Sequence, residues 1–240
     1  MTTDSVQYQF KDGVATITID DGKRNALAPE VLQGIHAALD QARRDDAILI
    51  ITGREDVFSA GFDLNVMKRG GTRAIGMLGA GYSLPPRVLS HPKPVIVACN
   101  GHCLAMGVFL MLSADYVVGT RGEFRISANE VAIGMTMPRV AAAMLKHRLG
   151  PSACQRAVAL AQYFDVEAAR EAGFFDELVD ADQLAARARQ LAEDYKQLDA
   201  QAHHISKRRM RRSLVRKLRF SRPFDLFDAA MVGVRRAFSR

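Results

Sequence analysis

Two short apolar runs constrain this chain more than any other feature: residues 47–52 (AILIIT) and 95–99 (VIVAC). Each is too short for a helix of ordinary length, and each is continuous rather than alternating, the pattern of a strand covered on both faces. Each leads into a glycine-bearing turn, through Gly53 and through Asn100-Gly101. Strands of this kind belong to parallel sheets, and parallel neighbours need crossover connections, usually helical.

The intervening sequence supplies them. Residues 14–19 (VATITI) alternate as a half-buried strand does, and Asp20-Asp21-Gly22-Lys23 has turn chemistry. Pro29 opens a helix with Leu32, Ile35 and Leu39 on one face. Residues 57–71 read as a loop or short helix around Ser59-Ala60-Gly61-Phe62, and Pro85-Pro86 with Pro92 and Pro94 bracket a further connection. After Asn100-Gly101 a helix-like stretch runs over 104–114, and 115–118 is the next strand. Helices follow at 138–149, 152–161 and 165–172, then a strand near 177–179. Beyond Asp182 only helix remains, with Leu184, Ala188, Leu191, Tyr195 and Leu198 in phase. The expected architecture is an α/β core over 1–180 with a helical C-terminal region over 181–240.

Apolar residues make up 48% of the 240, enough to bury a substantial core. No targeting peptide is visible in MTTDSVQYQFKDG, and the apolar run 104–112, broken by Gly107, is far below the ~20 residues of a membrane span. Cys99, Cys103 and Cys154 lie in apolar sequence and read as buried thiols of a reducing cytoplasm, not as a metal site. The net charge of +7 is a local matter. Residues 207–240 carry twelve Lys and Arg against Asp225 and Asp228, so the rest of the chain is slightly acidic. This basic segment has three readings: a solvated helical face, a contact for phosphates across a subunit boundary, or a nucleic-acid surface interleaved with Phe220, Phe224 and Phe227.

Chemistry is expected at the two turns, Phe58-Ser59-Ala60-Gly61-Phe62-Asp63 and Asn100-Gly101-His102-Cys103-Leu104-Ala105-Met106-Gly107. Free N–H groups at helix starts suit a developing negative charge, and a converging pair makes an oxyanion hole. With Asn25-Ala26-Leu27, residues 94–101 (PVIVACNG), Ala114-Asp115 and residues 129–134 (NEVAIG), these segments resemble the crotonase (enoyl-CoA hydratase/isomerase) superfamily in order and spacing. The resemblance covers most of the chain. It implies an α/β fold, a crotonase-like spiral of ββα units, whose C-terminal helices associate as a homotrimer or as a hexamer of paired trimers. It further implies an acyl-CoA thioester as substrate, with no other cofactor and no metal.

Carried onto this sequence, the resemblance places the oxyanion amides on Phe62 and Met106, the latter standing where the family has a glycine. Ala26, Asp63 and Leu64 fall where the family contacts CoA, and Lys23 and Arg24 lie near its phosphate contact. Family hydratases use two glutamates; here the first position is Phe109 and the second is Glu130. Hydration asks for one group to activate water and another to protonate carbon, whereas moving a double bond from the 3- to the 2-position needs one base that serves C2 and C4 in turn. The resemblance is therefore closest to the enoyl-CoA isomerase branch. Glu130 would be the proton shuttle, and Phe109, Met106, Ile133 and Met135 the dry wall around it. A hydratase is the alternative, and a nucleic-acid-binding protein on the same scaffold the remoter one. Asp63 also suits a helix cap, and Asp115 a structural role.

Overall fold

The structure, a computed structural model, describes residues 5–238, with side chains through residue 231. Arg235 and Arg236 therefore lie outside the described side chains, and Arg240 outside the described residues.

Strands β1 (Val6–Lys11) and β2 (Val14–Ile19) form an antiparallel hairpin through Asp12-Gly13, with φ of 51° and 74°. Two successive positive φ values are what an Asp-Gly hairpin turn supplies. β1 was not expected, although Val6, Tyr8 and Phe10 alternate with Gln7, Gln9 and Lys11. β4 (Ile48–Thr52), β7 (Val95–Cys99), β9 (Tyr116–Thr120) and β11 (Glu177–Val179) continue the sheet in the order β1-β2-β4-β7-β9-β11, parallel from β2 onward.

Both faces of this sheet are covered. Leu49, Ile51, Val95 and Val97 join the main core with α1 (Pro29–Arg44), while Ile48, Ile50, Ile96 and Ala98 meet Leu184, Ala188, Leu191 and Ala192 of α8 (Leu184–Tyr195) on the other side. α8 thus closes the outer face of the sheet. Leu198 falls beyond the end of α8 and is 48% exposed, so the in-phase pattern overran the helix by a turn.

Smaller strands lie beside the main sheet: β3 (Ala26–Leu27) pairs with β6 (Gly61–Phe62), and β10 (Ile126–Ser127), β8 (Gly101–Leu104) and β5 (Asp56–Ser59) form a parallel trio. The chain repeats one figure, a strand in the large sheet, a strand in a small one, then a helix. β2–β3–α1 is one turn; β4–β5 leads to α2 (Leu64–Arg69) and α3 (Gly71–Leu89); β7–β8 leads to α4 (Met106–Met111); β9–β10 leads to α5 (Arg139–Arg148). α6 (Pro151–Leu160) and α7 (Val166–Ala172) bring the chain to β11.

Two expectations are corrected. α3 occupies the region read as a proline-bracketed connection, with Pro85 and Pro86 inside it. Interior proline removes a donor and costs about 3 kcal/mol; both prolines are buried, and α3 packs between α1 and the last helix, α9 (Ala200–Phe238), which offsets that cost. The stretch 104–114 opens not as helix but with the end of β8, because residues 101–104 pair with β5 and β10.

α9 buries a narrow stripe, Lys207, Arg211, Leu214, Leu218, Ser221 and Asp225, and leaves Met210, Phe220, Phe224 and Phe227 exposed. Asp225 accepts hydrogen bonds from the main-chain N–H of Arg139 and of Val140, 2.9 Å each. α5 has no side-chain cap of its own, Pro138 being its N-cap residue, so α9 supplies one. Among the described residues no helix is long and apolar enough to cross a membrane.

Candidate active site

The two glycine-bearing turns meet. A methyl group placed on Gly61 would lie 2.8 Å from Ala105 Cβ and 3.3 Å from Met106 N, and one on Gly107 would lie 2.8 Å from Ser59 Cβ. Such approaches exclude a side chain at either position, and the φ of +83° at Gly61 adds a second reason. The Asn-Gly turn needs its glycine too, since a Cβ on Gly101 would sit 2.0 Å from the Asp56 carbonyl.

Asn25 locks the first turn. Fully buried with φ of 50°, it donates from Nδ2 to the carbonyls of Ile19 (2.6 Å), Val57 and Phe58 (3.2 Å each). Ser59 Oγ donates to the Asn25 carbonyl at 2.8 Å and accepts from Gly61 N at 3.1 Å. The second turn is held from below: Ala105, at φ 49° and ψ −124°, donates to the Ser127 carbonyl at 2.8 Å. A non-glycine residue there is strained, by roughly 1–3 kcal/mol. Met106 then begins α4, so its N–H belongs to the first helical turn, where no intrahelical acceptor exists.

Three residues past Ser127 comes Glu130. Its carbonyl accepts from Met135 N at 2.9 Å and from Ile133 N at 3.2 Å, which fixes the main chain. The residue is 5% exposed and Oε2 is buried without a hydrogen-bond partner. Burial pushes its carboxyl from an ordinary 4.5 up to about 7, only partly opposed by its own backbone hydrogen bond. A buried carboxyl with a raised pKa and an unused oxygen makes Glu130 the candidate acid–base group of the site.

The remaining candidates fall into two sets. Ala26 lies opposite Gly61 in the β3–β6 pair, next to Leu27 opposite Phe62, so it borders the first turn. Asp63 caps α2, accepting from Asn65 N at 2.7 Å and Val66 N at 3.3 Å, and Leu64 beside it is exposed. The side chains of Lys23 and Arg24 stand exposed on the turn before Asn25, and the Arg24 carbonyl accepts from Ala60 N at 3.0 Å. Phe109, one turn into α4 and 1% exposed, is part of the main core.

The dry wall differs from expectation. Met106 and Phe109 are buried, but Ile133 is exposed and Met135 only half-buried, because Val131–Ile133 form a short 3-10 turn on the surface. Sequence reasoning missed Asn25 as a tether and missed Gly81 and Tyr82, on α3, which pack against Phe62. The glycines of 71–81 were the available signal, but a glycine-rich, proline-ended segment hid the helix that carries them.

Asp115 is structural. It accepts from Val95 N at 2.7 Å and pairs with Lys207 Nζ at 2.5 Å and Arg211 Nη1 at 2.8 Å, both buried. Desolvation lowers Lys207 to about 8 despite its partner. Two of the twelve basic residues are therefore internal ties of α9, not a solvated face.

A spiral of ββα units in which the turn at Gly61-Phe62 packs against the start of α4 at Ala105-Met106 is a crotonase-type α/β enzyme fold. The chain belongs to the enoyl-CoA hydratase/isomerase family, whose model matches residues 9–226. It is similar to an enoyl-CoA hydratase/isomerase family protein from Pseudomonas syringae, at 43% identity and a TM-score of 0.91 over 93% of this chain and 97% of that one. It is also similar to a Mycobacterium tuberculosis protein described in one structure as an enoyl-CoA isomerase (43% identity, TM-score 0.88 over 92% of this chain and 97% of that one) and in another as a probable enoyl-CoA hydratase (42%, 0.91, over 99% and 100%). A probable enoyl-CoA hydratase of Mycobacterium avium is 30% identical over 175 residues, 72% of this chain and 68% of that protein.

Proposed function

We propose that the protein is an enoyl-CoA isomerase converting 3-enoyl-CoA to 2-trans-enoyl-CoA, with Glu130 as proton shuttle. The observation that carries this reading is that, among the described residues, a single buried carboxyl has an unpartnered oxygen, with Phe109 where a second glutamate would serve hydration. The thioester oxygen accepts from the amides of Phe62 and Met106, each worth on the order of 3 kcal/mol in the transition state. Glu130 takes a proton from C2, the negative charge spreads over the dienolate, and the same carboxyl returns the proton at C4. A positioned base of this kind contributes roughly 10²–10⁴-fold. Ala26, Asp63 and Leu64 border the CoA path, with Lys23 and Arg24 toward its phosphates.

The exposed Met210, Phe220, Phe224 and Phe227 of α9 suit contact between subunits, as a trimer or a pair of trimers, better than nucleic acid. Light scattering on the purified protein tests the association.

The reaction is tested with matched 2- and 3-enoyl-CoA thioesters on wild type and Glu130→Gln, following both products. Isomerisation in the wild type, lost by at least about 10²-fold in the variant, is expected. Efficient hydration of the 2-enoyl thioester without isomerisation would overturn the reading in favour of a hydratase.

A further inference from the structure

Phe62 enters the proposed reaction only through its main-chain N–H, yet its half-buried side chain packs closely against α3. A methyl group on Gly81 would fall 2.3 Å from Cε1 and 2.4 Å from Cζ of the Phe62 ring, and 3.6 Å from Met106 Cγ. Gly81 lies inside helix α3, where glycine costs about 1 kcal/mol relative to alanine. The space taken by the ring accounts for a glycine there. Tyr82, the next residue, is buried and meets the same ring edge-on, with centroids 5.7 Å apart and planes at 79°.

The peptide that carries the Phe62 N–H joins Gly61 to Phe62. Gly61 is pressed against Ala105 and Met106 N, and the Phe62 ring against Gly81 and Tyr82. That peptide is therefore held at both ends, by α4 on one side and α3 on the other. We infer that Gly81 and Tyr82 are positioning residues, a clamp on the Phe62 ring that aims its main-chain N–H at the point where Met106 N–H also converges. The inference rests on the reading of these two amides as the oxyanion donors. It goes beyond that reading because a purely main-chain donor is indifferent to its own side chain.

Steady-state kinetics on a 3-enoyl-CoA separate the cases, using wild type, Gly81→Ala, Phe62→Ala and the double variant. Gly81→Ala should lower kcat by roughly 10²-fold with little change in KM, the scale of a misplaced reacting group. Phe62→Ala keeps the N–H yet should lose roughly tenfold in kcat, because the peptide is released at one end. In the double variant the clash is gone, so kcat should return to the level of Phe62→Ala, about tenfold above Gly81→Ala. A wild-type kcat in Phe62→Ala, or a double variant as slow as Gly81→Ala, would overturn the clamp. If Gly81→Ala fails to fold, the Phe62→Ala measurement decides alone. A wild type inactive on both 2- and 3-enoyl-CoA would instead refute the oxyanion reading beneath the proposal.

Discussion

Replacing Glu130 by glutamine should stabilise the fold, and by an amount that depends on pH. The folded carboxyl titrates near 7 and an unfolded one near 4.5, so between these values the folded state keeps a proton that the unfolded chain has released. Raising the pH through that window therefore favours unfolding. The cost is nearly absent below 4.5 and complete above 7, where it reaches roughly 3 kcal/mol; at pH 5 less than about 1 kcal/mol of it is present. Glutamine has nearly the same shape and never ionises. For a chain of this size 1 kcal/mol moves Tm by about 2–4 °C, so the variant should melt roughly 6–12 °C above wild type at pH 8, and only slightly above it at pH 5. Scanning calorimetry of both proteins at one concentration, from pH 5 to 8.5, makes the comparison, and every other titrating group cancels in the difference. A Tm difference that stays constant across this range would refute the claim that Glu130 is buried without a counter-charge.

The same carboxyl should give kcat/KM for 3-enoyl-CoA an acid limb with a midpoint near 7 and a plateau above it, and a flat profile from pH 5 to 8 would argue against Glu130 as the base. Asn25→Ala leaves the carbonyls of Ile19, Val57 and Phe58 without its amide, for a loss of about 2–4 kcal/mol in urea unfolding at unchanged m. Asp115→Ala strands Lys207 and Arg211 as buried cations and should cost about 3–5 kcal/mol. Adding Lys207→Met should return part of that; no recovery would mean that Asp115 matters mainly through Val95 N.

The spine of the fold was readable because its signals are local. The continuous runs at β4 and β7, the alternation of β2 and the proline at the start of α1 each specify an element without help from distant residues. What was hidden depends on partners. β3, β6 and β10 are two residues long and exist only through the strands beside them. α3 carries four glycines and two prolines, so its propensity argues against the helix that packing enforces. Within the candidate site, Phe62, Met106 and Glu130 stand in motifs that sequence spacing can reveal. The contact of Phe62 with Gly81 joins residues that no periodicity relates. The exposure of Ile133 follows from a 3-10 turn, which turns apolar residues outward where a longer helix would have buried them.

The carboxylate that α9 lends to the start of α5 has a consequence for the order of events on the ribosome. Asp225 lies more than eighty residues downstream of the two N–H groups it satisfies. The large sheet can be complete, its last strand ending at Val179, while the start of α5 still lacks its cap. A nascent chain halted before Asp225 would hold an assembled sheet while the first N–H groups of α5 stay uncapped, so that helix would gain its full set of hydrogen bonds only as the final helix docks.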